Sequence, residues 1–375
     1  MKAIYLFIVL LFSVSCKNET KENHSKPIEG TSIFLKYAKG FSITDFGTHK
    51  ILEIKNPWTN ADISYSFTLT SNKLYQDEKN RDALITPLKK IVVTSTTHLP
   101  ALELLNVEDA LIGFPGTTYI SSKTIRQRVD KGFIRELGKN ENINTEILLE
   151  LNPEVVIAFG IDDNNKTLET IKKTEIPVIF NGDWVEDSPL ARAEWIKFFG
   201  VLFDKEKKAD SIFNRIEANY LDAKKIASKV LKKPTVLSGA LHKDIWYLPN
   251  GNSTEAQLLK DANTNYLWSN SKGTGSLTLN FETVFEIAKY ADFWFSPSNY
   301  SSLEILEKAN SHYASFKAFQ NKAIYSFNNT QGESGGNLYY ELGMTRPDIV
   351  LKDIIKICHP ELLQNYEPFF FKPLK

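Results

Sequence analysis

Residues 144–160 read NTEILLELNPEVVIAFG, and residues 280–296 read NFETVFEIAKYADFWFS. Each stretch opens on Asn and places Glu146 or Glu282 two residues on. It then runs through an apolar segment of helical spacing with a second Glu, passes an acidic residue and ends in an apolar strand. A capped helix leading into a buried strand is the repeating unit of an α/β sheet. Two copies predict two α/β lobes.

Working outward from the first copy, KIVVTS, VVIAFG and IPVIFN read as short buried strands, and LPALELLNV as a helix with Pro100 near its start. They define an N-terminal lobe over residues 88–184. Around the second copy, TVLSG, DIWYLP, DFWFS and AIYSF alternate with helical stretches and define a C-terminal lobe over 234–375. One of those helices begins near Asn252, whose spacing from Glu255 is that of a capping box. Between the lobes, Ser188-Pro189 is a helix start signal. Ala209, Ile212, Phe213, Ile216, Tyr220, Ala223, Ala227 and Val230 then recur at intervals of three and four. This spacing predicts one long bridging helix within 185–233, interrupted at Gly200 and ended by Pro234.

The segment 31–87 lacks helical spacing and alternates around Gly40 and Gly47, as β-hairpins do, so it reads as a β-rich N-terminal extension. Residues 16–30 are polar and read as a tether. Residues 1–15, with Lys2 ahead of a short apolar run and small residues before Cys16, read as a signal peptide. Cys16 stands at the cleavage point, as in a lipid-anchored protein; a plain signal peptide with an incidental Cys is the competing reading. The second cysteine, Cys358, falls on one helix face with Leu351, Ile354 and Ile355 and reads as a core residue.

Lys plus Arg and Asp plus Glu both number 45, so the formal net charge is zero. That balance argues against a nucleic-acid partner, which calls for a basic excess. There is no H-E-x-x-H and no C-x-x-C, and the six histidines are scattered. These absences argue against metalloprotease, redox and dedicated zinc chemistry. The loop QGESGGN lacks the Lys-Ser/Thr ending of a phosphate-cradling loop.

In open α/β sheets, ligands sit beyond the carboxyl ends of the strands. That rule selects Thr97 and His98 after the first strand, then Thr118 and Tyr119, then Trp184. In the second lobe it selects Trp246, Tyr247 and Tyr300. The lining is rich in Trp, Tyr, Thr and Asn and suits a bulky, flat or greasy ligand with a few polar handles. His98 reads either as a ligand to iron or cobalt in the cargo or as a hydrogen-bonded helix-start His. Arg346 reads either as a partner of an anionic ligand group or as the partner of Glu341 or Asp348.

The stretches INTEILLELNPEVVIA, NGNSTEAQLLKDANTNYLW, NFETVFEIAKYADFWF and RPDIVLKDIIKICHPEL occur in this order across about residues 88–360. With a lipoprotein-type N-terminus and a bridging helix, they resemble the cobalamin-, haem- and ferric-siderophore-binding class of ABC-transporter substrate-binding proteins. The resemblance implies two α/β lobes joined by one long helix, no catalysis, no intrinsic cofactor and a ligand carrying iron or cobalt. It implies as partners an ABC permease and its ATPase, and a lipid-tethered monomer on the periplasmic side of a bacterial membrane. It also implies that Glu146 and Glu282 dock on arginine pockets of the permease; singly, each reads equally as a solvated residue favoured by a helix N-terminus. A free metal-ion binder of a related importer class and a secreted hydrolase are the alternative functions.

Overall fold

A computed structural model describes residues 29–75, 80–162 and 166–375. Cys16, the signal peptide at 1–15 and most of the tether at 16–30 lie outside the described residues.

Five strands open the chain: β1 (Thr31–Ile33), β2 (Phe41–Asp45), β3 (Lys50–Lys55), β4 (Ser64–Thr70) and β5 (Leu84–Ile85). They form a sheet in that order, antiparallel except for β4–β5. Its inward residues Phe41, Ile43, Leu52, Ile54 and Leu69 belong to the same hydrophobic core as the first lobe. The β-rich extension is therefore built into that lobe rather than appended to it. Phe41 packs on Trp195 with ring centroids 4.6 Å apart.

The first lobe runs β6 (Ile91–Val93), α1 (Leu99–Leu105), β7 (Leu111–Phe114), α2 (Lys123–Asp130), β8 (Arg135–Glu136) and a hairpin of β9 (Gly138–Lys139) and β10 (Asn142–Ile143). It continues through α3 (Thr145–Leu151), β11 (Val155–Ala158), α4 (Lys166–Lys172) and β12 (Val178–Phe180). Its sheet is all parallel, in the order β12-β11-β6-β7-β8.

Three helices follow: α5 (Pro189–Glu194), α6 (Ile196–Leu202) and α7 (Glu206–Ala227). The second lobe comprises β13 (Thr235–Ser238), β14 (Ala240–His242), β15 (Ile245–Pro249), α8 (Thr254–Asp261), β16 (Asn265–Tyr266) and β17 (Ser276–Asn280). Then come α9 (Phe281–Ala288), β18 (Phe293–Phe295), α10 (Leu303–Ala309), α11 (Lys317–Gln320), β19 (Ile324–Ser326), α12 (Leu338–Leu342), α13 (Pro347–Cys358) and β20 (Lys372–Pro373). Its main sheet is ordered β16-β13-β18-β19-β20, with only β20 antiparallel, beside a smaller β14-β15-β17 sheet.

The two parallel sheets repeat one plan. In each, the first strand (β6 or β13) lies between the strand after its own helix (β7 or β16) and the strand after the Asn-capped helix (β11 or β18). Asn144 and Asn280 cap α3 and α9 by accepting from the amides of Ile147 (3.1 Å) and Thr283 (2.9 Å). These side chains satisfy amides that the first helical turn leaves free.

The α7 helix joins the lobes. Ala209, Ile212, Phe213 and Ile216 are buried in the first core, whereas Tyr220, Ala223 and Ala227 are buried in the second. At about 1.5 Å per residue, its 22 residues reach about 33 Å. Within 185–233 two shorter helices, α5 and α6, precede this one long helix. The break falls at Asp204, in the left-handed region with φ of 53°, and not at Gly200. Gly200 lies inside α6, where a Cβ would come 2.7 Å from the Cβ of Ala209 on α7, so its role is close helix packing. Val230 lies past the helix end, and Cys358 is buried with Leu351, Ile354 and Ile355.

Candidate ligand-binding cleft

The carboxyl ends of both parallel sheets, together with α5, frame the space between the lobes. In the first lobe, Glu136 accepts from the amides of Gly116 (2.8 Å), Thr117 (2.7 Å) and Gly138 (2.8 Å) and from the Thr117 hydroxyl (2.6 Å). Burial alone would raise its pKa, but these four donors hold it below the usual carboxylate value and stiffen the loop after β7.

Beyond β12, Asn181 accepts from the amide of Asp183 (2.9 Å), and Trp184 donates its indole N–H to the carbonyl of Gly160 (3.2 Å). Asp183 is 5 % exposed, and one of its carboxyl oxygens has no protein partner. Burial pushes its pKa up to about 7, against the opposing pull of the Arg192 charge and the Thr97 hydroxyl.

Arg192, on α5, donates to the carbonyls of Trp184 (2.8 Å) and Glu186 (3.4 Å). Across the gap stands Glu255 in the first turn of α8. Its surface opens to solvent, yet protein surrounds it on most sides; desolvation raises its pKa, and Arg192 opposes the rise. Arg192, Glu255, Tyr339 and Tyr340 line a cavity of about 110 Å³ between α5, α8 and α12. Tyr339 stacks on Phe327 at 4.2 Å, whereas Tyr340 is 57 % exposed.

One mouth of the cleft is closed by direct contact. Glu341 on α12 accepts from the amides of Ser121 (2.6 Å) and Ser122 (2.8 Å) in the other lobe, and Ser334 donates to the carbonyl of Ile120 (2.8 Å). A Cβ at Gly336 would lie 2.1 Å from the carbonyl oxygen of Tyr119, so only glycine allows this approach. Burial pushes Glu341 up to about 7, opposed by the two serine amides. The run Gly332-Glu333-Ser334-Gly335-Gly336 also has the G-x-S-x-G spacing of a hydrolase elbow, a match that the sequence reading passed over. It lies in a loop, not a strand-to-helix turn, and its Ser hydroxyl is spent on Ile120.

The residues selected by the strand-end rule divide. Trp184 lines a cavity of about 520 Å³, and Thr97 interacts with Asp183. Thr118 and Tyr119 are exposed beside the closed mouth, Tyr119 at 69 %. His98 does not line the cleft: it is fully buried near Phe199, and desolvation lowers its pKa to about 3. Trp246 is also fully buried, packed with Trp294, Tyr313 and Phe316 in the second core, because it occupies the inward register of β15. Tyr247, next along, points to the other face and is 42 % exposed. Tyr300 is half-buried against the second core. Arg346 forms a two-pronged pair with Asp348 (2.8 and 2.9 Å), not with Glu341.

Sequence reasoning missed Arg192, Glu255, Asp183 and Tyr340. The signal for Glu255 was misread: Ser253, not Asn252, caps α8 by accepting from Ala256 (3.1 Å). Glu255 therefore is not the reciprocal member of a capping box. The signal for Arg192 was a charge set between alanines in a short, otherwise mostly apolar helix just after Pro189. Glu146 and Glu282 occupy the same place, two residues past the capping Asn of α3 and α9, and both are exposed. Among the described residues, no three His, Cys, Asp or Glu side chains converge as a metal shell would. Among those residues, no helix is long and apolar enough to cross a membrane.

The family model for periplasmic binding proteins matches residues 91–330, and the chain belongs to that family. Its members bind solutes and are not enzymes. An uncharacterized lipoprotein of Methanocaldococcus jannaschii is 27 % identical over 96 % of this chain and 90 % of its own. A periplasmic binding protein from Veillonella parvula superimposes with a TM-score of 0.60 at 12 % identity, covering 84 % of this chain and 99 % of that one. A periplasmic heme binding protein from Pseudomonas aeruginosa gives 0.57 at 14 % identity, covering 77 % and 98 %.

The raised Asp183 pKa carries a prediction. The native state disfavours the Asp183 carboxylate, so this group opposes folding above about pH 7, and the penalty fades as pH falls toward its ordinary value of 3.8. Stability should therefore rise on acidification from pH 7.5 to 5, by about 2–3 kcal/mol from this group. Glu341 acts in the same direction. Asp183→Asn should flatten that slope in urea titrations; equal slopes for variant and wild type would refute the assignment.

Proposed function

We propose that this chain is the substrate-binding lipoprotein of an ABC importer. It captures an iron chelate (siderophore), haem or corrinoid between its lobes and delivers it to the permease. The observation that carries the reading is the α7 brace. One helix buried in both cores resists bending, so the lobes hold a bulky cargo with little relative motion. The aromatic and charged lining around Trp184, Arg192, Glu255, Tyr339 and Tyr340 supports a cargo with flat faces and polar handles.

Lipid attachment at Cys16 would keep the protein at the periplasmic face of the membrane; the lipoprotein relative supports the lipid attachment. Binding needs no covalent step. The ligand gains by burying apolar area, and the pre-formed walls reduce the ordering cost.

These cargo classes are coloured. Protein purified from its own source without denaturation should carry an absorbance band in the visible range, and its native mass should exceed that of the chain by one such ligand. Recovery of a colourless sugar or amino acid in the cleft would reject the reading.

A further inference from the structure

We propose that the N-terminal sheet is a third wall of the binding site and takes the anionic, ring-bearing edge of the cargo. The inference rests on the cargo-capture reading above. The cavity of about 520 Å³ has three sides. One is α5 and the turn before it, with Trp184 and Arg192. One is the second lobe, with Asn252 and Thr274. The third is the N-terminal sheet, with Lys39, Lys55, Trp58 and Asn60. That sheet lies ahead of residue 91, where the family match begins.

The sheet's contribution is built, not incidental. The turn between β3 and β4 is held by Asn56 N–H donating to Ile63 (2.9 Å) and Ala61 N–H donating to Trp58 (3.1 Å). Asn56 and Asn60 sit in the left-handed region, with φ of 48° and 61°. The turn lies over the carboxyl ends of β11 and β12. Trp58 crosses Phe180 edge-on at 5.1 Å, and a Cβ at Gly182 would lie 3.1 Å from the Pro57 backbone. This is the end of a parallel sheet at which ligands bind.

The wall's chemistry defines what it takes. Lys39, Lys55 and Arg192 line it against Glu186 and Asp187. Glu186 already accepts from the amides of Lys39 and Gly40 and from the Trp195 indole, each at 2.9 Å. Asp187 pairs with Lys39 at 2.8 Å, and Glu53 pairs with Lys55 at 3.0 Å. The hydrogen bonds described for Arg192 go to main-chain carbonyls, so its charge is not taken up by a hydrogen-bonded carboxylate. Two indoles beside the Arg192 guanidinium fit a planar group bearing carboxylates or phenolates.

The test titrates full-length protein with haemin and ferric tris(catecholate), which are anionic, and with cyanocobalamin, which is uncharged. The double variant Lys55→Glu with Asn60→Asp adds negative charge at the end of β3 and in the turn, and it breaks the exposed Lys55–Glu53 pair; Trp58→Ala removes the ring. Both should weaken an anionic probe about tenfold or more, with the melting temperature of the double variant within a few degrees of wild type, since an exposed pair is worth about 1 kcal/mol or less. If an anionic probe binds wild type and the double variant equally, the sheet is not part of the site, while cargo capture stands. If only cyanocobalamin binds, and binds the variants equally, the anionic class is overturned. If no probe binds wild type, cargo capture and the third wall fall together.

Discussion

Replacing Glu146 and Glu282 together by Ala is expected to leave cargo affinity within about twofold and to cut uptake about tenfold or more. Both side chains are exposed, and both lie two residues past an Asn cap that the substitutions leave intact. Folding should change by only a few tenths of a kcal/mol per site, the worth of a carboxylate near a helix N-terminus. Their matched positions on equivalent helices of the two lobes suit simultaneous contact with a two-fold partner. Because such contacts are electrostatic and exposed, the uptake defect should be mimicked in wild type by raising salt. The check is transport in vesicles that contain the permease, alongside cargo titration of the isolated protein. A double variant that cannot bind cargo would place these residues in the cleft and end the docking role that we propose for them from the family resemblance.

The second large effect is on stability. Glu194 on α5 is fully buried and accepts from three successive amides of the loop between β1 and β2: Lys36 (2.9 Å), Tyr37 (2.7 Å) and Ala38 (2.9 Å). It also pairs with Lys197 at 3.0 Å. Glu194→Ala strands those donors and should cost about 3–5 kcal/mol in urea unfolding. Glu194→Gln keeps one acceptor oxygen and should cost less. A loss under about 1 kcal/mol for the Ala variant would mean that solvent replaces the carboxylate at no penalty.

Much of the architecture was legible because it rests on period. Strand and helix spacings marked both lobes, and the apolar set from Ala209 to Ala227 marked the brace. What failed had physical reasons. A strand-end rule picks chain positions but not side-chain directions, so Trp246 was taken for lining although its register points inward. His98 was selected by the same rule, yet the turn after β6 folds it into the core. Arg192 and Glu255 escaped because they enter the cleft from the first turns of helices, not from strand ends. Gly200 looked like a breaker because glycine weakens helices in isolation; here the close approach of α6 and α7 decides. The part of the N-terminal sheet in the cavity wall depends on contacts between residues more than a hundred positions apart, such as Gly40 with Glu186, and no local pattern announces those.

The helix that gives four of its buried residues to one core and three to the other also ties the fates of the lobes together. Melting either half strips the other of a packing surface: Phe213 and Ile216 on one side, Tyr220 and Ala223 on the other. Calorimetry should therefore record a single endotherm, and a cut within residues 206–227 should yield no self-sufficient fragment, since neither half is an independent folding unit.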